Sequence, residues 1–288
     1  MSIKPGRCLS GFYRTIDPPR AVNREDREKI CRPLLRKASA FSALPGDALS
    51  CIARGCHTRT ASRDQVLCEK GQNMAGFFVL VSGRVKLSIL SEDGAERVLD
   101  IVLPGGTFAE SAAFVRQPCP VHAQALTDSR LLYIELASVR EAIARWPEVA
   151  YAMLELVAGR TQKLTADLEA CCLQTATQRV AGFILREAQP AQNGPRRPSR
   201  SPLDNPSNSQ AKDRIASTGE PGTDRARLTL PAAKTVVASS LNLTAETFSR
   251  ELHSLARIGL IAIERREIRV PSLERLRAAA CGASARIG

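Results

Sequence analysis

"LTLPAAKTVVASSLNLTAETFSRELHSLARIGLIAIERREIRV", Leu228 to Val270, reads as a helix, a tight turn, a second helix and a hairpin of Leu260–Glu264 and Ile268–Val270. Thr244 suits the N-cap of the second helix, and Glu246 suits the positive end of its dipole. Phe248, Leu252 and Leu255 recur at steps of four and three, which makes one face apolar. Glu246, Ser249 and Arg250 stand at i, i+3 and i+4, so they share the opposite face. From Arg225 to the end there are eleven Lys and Arg against five Asp and Glu.

This pattern is that of a winged helix-turn-helix, whose second helix enters the DNA major groove with its first turns. There a carboxylate accepts from cytosine N4, a guanidinium takes guanine O6 and N7, and a hydroxyl serves either role. Thr244, Glu246, Ser249, Arg250, His253 and Lys234 form the candidate contact set. The alternative is a solvated helix surface closed by an internal Glu246–Arg250 ion pair.

The rest of the chain agrees with a polyanionic partner. Its 288 residues are 44% hydrophobic and 24% charged, with a net charge of +12. That length holds about two domains with cores of their own. No apolar run reaches the roughly 18–20 residues of a membrane span. The first residues carry no apolar signal region, so the expected location is cytoplasmic and the nine cysteines are expected to be reduced.

Residues 1–35 read as a flexible arm, while "REKICRPLLRKASAFSALPGDALSCIARGC" from Arg27 gives short helical patterns broken at Pro45-Gly46. Residues 36–146 hold short β-type runs, "FFVLVSG", "RVKLSIL", "RVLDIVL" and "LLYIEL", punctuated by Gly71, Gly83, Asp93-Gly94 and Gly105-Gly106. They predict a barrel or sandwich. Residues 147–173 predict a long helix with a seam at Ala150, Leu154, Val157, Thr161, Leu164, Leu168 and Cys171. Charged flanks at Arg160, Lys163 and Asp167 favour a dimer seam; the alternative is a helix packed on its own barrel. Residues 174–188 form a helix leading into the DNA-binding domain. Residues 189–224 carry six prolines and few large aliphatics, which predicts a disordered linker insertion. Residues 225–288 form the winged helix-turn-helix. The fold class is therefore α+β.

The order of barrel, long seam helix and winged helix resembles the CRP/FNR superfamily of bacterial transcription regulators. "SGRVKL", "LPGGTFAE" and "ASSLNLTAETFSREL" carry the resemblance, which spans about Phe41 to Leu276. It implies a cyclic-nucleotide-binding-like β-roll, or jelly-roll, a homodimer, double-stranded DNA as ligand and RNA polymerase as partner of an activator. The FNR branch has Glu-x-x-Ser-Arg, matched by Glu246, Ser249 and Arg250. The cAMP-receptor branch has an Arg where Ala245 stands. The resemblance therefore implies a palindrome of TTGAT-like half-sites rather than TGTGA. "GGTFAE", "LTLPAAK" and "TAETFSR" are similar to DNR-like regulators of nitrate and nitric-oxide respiration.

In the family's cyclic-nucleotide binders a Gly-Glu pair and a later Arg-Ser/Thr hold the ribose and the phosphate. Ala109-Glu110 and Cys119-Pro120 stand at those places. A buried phosphate without its guanidinium is poorly compensated, so cAMP is disfavoured. Arg116 lies in the nearby loop, which leaves a rival reading of a cyclic nucleotide held by Arg116 and Glu110. The candidate effector pocket is Glu110, Ala109, Cys119, Arg116 and His122. Cys8 and Cys31 are the only cysteines in the first 50 residues, so an iron–sulfur cluster is disfavoured. A haem or nitric-oxide sensor stays open, with His57 or His122 as ligand. A cupin-type metal enzyme is a third reading, but histidines scattered at 57, 122 and 253 fit its clustered ligands badly. No catalytic or metal set is expected.

Overall fold

The run Phe77–Val81 is unbroken in its hydrophobicity because its two faces meet two different cores. Phe77 and Val79 belong to a cluster shared with helices, and Phe78 and Leu80 to a second cluster. "LLYIEL" repeats the split: Leu132 and Ile134 join the first cluster, while Leu131 and Tyr133 pack in the second. A strand covered on both sides loses the alternation that marks a half-exposed one.

The computed structural model describes residues 23–188, 226–264 and 267–282. The chain divides into two compact units, Met1–Ala158 and Gly159–Gly288. The first contains α1 (Arg24–Leu35), α2 (Gly46–Arg54), β1 (Cys56–Ala61), β2 (Val66–Cys68), β3 (Gly76–Ser82), β4 (Val85–Leu90), β5 (Glu96–Val102), β6 (Thr107–Phe108), α3 (Glu110–Val115), β7 (His122–Ala125), β8 (Ser129–Glu135) and α4 (Leu136–Arg145). α5 (Glu148–Leu173) follows and runs across the division between the units.

Two four-stranded antiparallel sheets, ordered β1-β8-β3-β6 and β2-β7-β4-β5, make the β-roll. The second cluster draws on both sheets and fills the interior of the roll. The first lies under α1, α2, α4 and the start of α5, through Leu35, Ile52, Val139, Val149 and Met153. The β3–β4 turn needs Gly83: its φ is +96°, and a Cβ would stand 2.1 Å from Ser129 Oγ.

One element departs from the sequence expectation. Residues 24–35, assigned to the arm although a helical pattern begins at Arg27, form a packed helix with Cys31 and Leu35 buried. Its charges outnumber the few residues that reach the core, so composition alone does not show that it packs. Residues 1–22 of the expected arm lie outside the described residues.

The second unit contains α6 (Ala176–Ala188), β9 (Ala226–Thr229), α7 (Lys234–Ser240), α8 (Ala245–Arg257), β10 (Ala262–Glu264), β11 (Glu267–Val270) and α9 (Leu273–Ala280). α6 buries Val180, Phe183 and Ile184 and packs on α8 and α9, and the Phe183 and Phe248 rings meet edge to face at 6.5 Å. The wing has three strands, ordered β10-β11-β9, where the sequence predicts two. β9 pairs Leu228 with Ile268, and Leu260 and Ile261 are buried ahead of β10 rather than within it. The linker insertion expected at 189–224 lies outside the described residues. Among the described residues no helix is long and apolar enough to cross a membrane.

Candidate nucleic-acid interface and sensor core

α8 begins as its sequence requires. Thr244 Oγ1 accepts a hydrogen bond from the Thr247 N–H at 3.1 Å, which satisfies one of the free donors of the first turn. Phe248, Leu252 and Leu255 are buried, so the helix is fixed in rotation about its axis. Glu246, Arg250 and His253 are exposed, and Ser249 is half-buried beside them.

No ion pair joins Glu246 to Arg250 among the described residues. Arg250 Nε instead lies 3.5 Å from Glu251 Oε1, and Glu251 is held by Thr177 Oγ1 at 2.7 Å. Arg250 is thus steadied at its neck while its side chain stays 67% exposed. His253 donates from Nδ1 to the Ser249 carbonyl at 2.7 Å, which leaves Nε2 as the outer nitrogen. Lys234 is exposed at the first position of α7.

Arg179 on α6 is a positioning residue the sequence reading missed. Its Nη1 donates to the carbonyls of Leu241 and Asn242, at 2.9 and 3.2 Å, in the turn between α7 and α8. Asn242 there has φ of +57°, which Asn tolerates better than most residues. Arg179 precedes this turn by more than sixty residues, so no local pattern marks it. On the wing, Arg227 of β9 lies directly opposite Arg269 of β11, and Arg269 pairs with Glu264 at 2.9 Å. Like charges facing each other across strands are unfavourable unless an anion relieves them.

The structure gathers part of the expected effector pocket. Ala109 and Cys119 belong to the interior of the roll, and Glu110 is buried beside them at the start of α3. Ala109 has φ of +67°, the conformation its resemblance partner Gly would take without strain. Arg116 is not gathered in: it caps the C-terminus of α3 in a left-handed conformation and is exposed. His122 is half-buried, and its Nδ1 accepts from the Lys70 N–H at 3.4 Å. His57 is buried, and its Nε2 lies 2.6 Å from Glu135 Oε1 and 3.4 Å from Arg27 Nη1.

Cys119 has a neighbour that sequence reasoning did not find. Cys68 Sγ lies 3.6 Å from Cys119 Sγ. The two are 51 residues apart, with no CxxC spacing to signal them. The contact with Cys68 holds the Cys119 thiol well below the ordinary thiol range, and the same contact pushes Cys68 up.

The predicted seam residues of α5 stand in solvent in the single chain. Leu154, Val157, Leu164 and Leu168 are exposed, as are Thr161 and Cys171, and only Val149 and Met153 of this helix are buried.

Residues 58–145 match the family model of the cyclic nucleotide-binding domain, and residues 178–279 match that of the Crp-like helix-turn-helix domain. A CRP-like cAMP-activated global transcriptional regulator of Mycobacterium tuberculosis is 24% identical over 156 residues, which is 54% of this chain and 70% of that protein. An anaerobic regulatory protein of Aggregatibacter actinomycetemcomitans is 23% identical over 217 residues, covering 74% of this chain and 72% of that one. Among solved structures, FixK2 from Bradyrhizobium japonicum superposes with a TM-score of 0.60 at 20% identity, covering 78% of this chain and 96% of its own.

Proposed function

Since the chain is a Crp/Fnr-family transcription regulator, with a cyclic nucleotide-binding domain ahead of a Crp-like helix-turn-helix, we propose that it binds an FNR-type palindrome as a homodimer and answers a redox or gas signal. The observation that carries the DNA reading is the outer face of α8. Its cap and three buried anchors hold Glu246, Ser249 and Arg250 at the start of a helix whose other side is fixed in a core. The chemistry of that set suits cytosine and guanine edges, as in TTGAT-like half-sites. The exposed apolar face of α5 supports the homodimer, because four large aliphatics in water favour a second copy that covers them.

On this reading the chain is a cytoplasmic activator that works with RNA polymerase, in the DNR-like branch. Oxygen or nitric oxide is the proposed class of signal. The buried thiol at Cys119, where a phosphate-binding cation stands in cyclic-nucleotide binders, supports a signal other than cAMP.

The cyclic-nucleotide reading is favoured by the match of residues 58–145 to that domain model, and by Glu110 being buried at the start of α3. It would need Arg116 to turn inward from an exposed cap. Competition binding decides the DNA reading: the reduced protein should prefer a TTGAT palindrome over a TGTGA palindrome of equal length, and equal affinity for both overturns it. Calorimetric titration with cAMP decides the rival, which requires saturable heat.

A further inference from the structure

We propose that Cys68 and Cys119 form a redox-active dithiol, which a hydroperoxide converts to a disulfide inside the β-roll. This site stands on its own geometry and does not depend on the DNA-binding reading. Both sulfurs are buried and lie 3.6 Å apart. A disulfide bond is about 2 Å long, so closing it needs about 1.5 Å of combined movement.

The backbone holds the pair in place. Cys68 ends β2, and Cys119 lies in the connection from α3 to β7. The Gly71 N–H donates to the Cys119 carbonyl, and the Cys119 N–H donates to the Gln72 carbonyl, both at 2.8 Å. The approach of the two sulfurs is therefore set by a hydrogen-bonded pairing of segments rather than by two mobile side chains.

The pair is also within reach of a small oxidant. Glu69 after Cys68, and Pro118 and Pro120 on either side of Cys119, are exposed, so the chain segments that carry both sulfurs run along the surface. Hydrogen peroxide is small enough to enter where a protein thiol or glutathione is not. The other buried thiols contrast with this pair. Burial pushes Cys31 up to about 11 and Cys56 well above its usual range, which keeps both as unreactive thiols.

The chemistry balances with one peroxide. Contact with Cys68 lowers the Cys119 thiol, which makes Cys119 the sulfur that attacks as thiolate. The thiolate attacks one peroxide oxygen, the O–O bond breaks, and hydroxide leaves with the proton Cys119 gave up, as water. Cys119 becomes a sulfenic acid, oxidised by two electrons. Cys68 then attacks the Cys119 sulfur, the S–S bond forms, and the S–O bond breaks. The departing hydroxide takes the Cys68 proton and leaves as a second water. Two thiols and one peroxide become one disulfide and two waters.

Reduced full-length protein should be treated with hydrogen peroxide, blocked with an alkylating agent under denaturing conditions, digested and mapped by mass spectrometry. The expected result is a Cys68–Cys119 linked peptide pair, lighter by two hydrogens and reversed by dithiothreitol. Its rate of formation should fall as pH is lowered through the Cys119 range, because the attacking thiolate is lost. In Cys68→Ser, Cys119 should stop at the sulfenic acid and be trapped by dimedone. If that variant does not fold, the wild-type map decides alone. The proposal is overturned if Cys68 and Cys119 stay fully alkylatable after peroxide treatment. It is equally overturned if Cys119 proceeds to sulfinic acid without linkage to Cys68.

Discussion

Arg250 is steadied through Nε by Glu251, yet two-thirds of its side chain is exposed. A bidentate contact to guanine O6 and N7 needs such a half-restrained guanidinium, because less rotamer freedom is then lost on binding. Arg250→Ala should cost about 1–3 kcal/mol per half-site and remove the preference for TTGAT-containing DNA. Competition binding against a scrambled palindrome checks this, and a variant as selective as wild type contradicts it. Gly76 is limiting in another way. A Cβ there would meet the Ile134 carbonyl oxygen at 2.1 Å, and backbone cannot yield as a flexible side chain does. Gly76→Ala should therefore force β3 and β8 apart and destabilise the roll by about 1–3 kcal/mol, the usual scale of overpacking. Thermal unfolding followed by circular dichroism would show this as a lower midpoint. Of these two residues only Arg250 was legible in sequence, since helix spacing places it on a face. The constraint on Gly76 comes from a strand more than fifty residues later.

At the scale of the element, α5 carries an apolar row that its own chain does not cover. Leu154, Leu164 and Leu168 are each about two-thirds exposed. Burying one such side chain is worth about 1.5–3 kcal/mol, so a second copy along this face would gain several times that before entropy is subtracted. In the proposed homodimer, Leu164→Lys should leave only monomer, because an unpaired ammonium in the seam costs several kcal/mol. Analytical ultracentrifugation at micromolar concentration reads the outcome; a variant that stays dimeric places the interface elsewhere. The period of the seam was visible in the sequence because a helix maps spacing directly onto a face. β9 was not visible: its four residues make sense as a strand only once β11 lies beside them. The helical pattern of α1 was visible from Arg27, but its packing was not, as two buried positions in a charged helix become apparent only against α2 and the roll.

Across the whole molecule the charge is +12, and eleven of the cationic side chains fall after residue 224. Phosphate contacts release condensed counterions, so affinity for DNA should fall linearly in log–log form as salt rises. Lys234→Ala should weaken binding to all sequences alike and reduce the magnitude of that slope by about one, where Arg250→Ala changes the sequence preference. Fluorescence anisotropy across a salt series separates the two, and an unchanged slope removes Lys234 from the phosphate contacts. The order of β-roll, long helix and winged helix was determined by the sequence itself, because periodicity, caps and turn residues act within a few positions of one another. So was the face of α8, through Thr244, Phe248, Leu252 and Leu255. The tertiary structure alone decided the meeting of Cys68 with Cys119, the hold of Arg179 on the Leu241–Asn242 turn, and the third strand of the wing. Each joins segments distant in the chain, the nearest being Thr229 and Glu267 at 38 residues apart, and such contacts are set by how faces pack, a quantity no local spacing encodes.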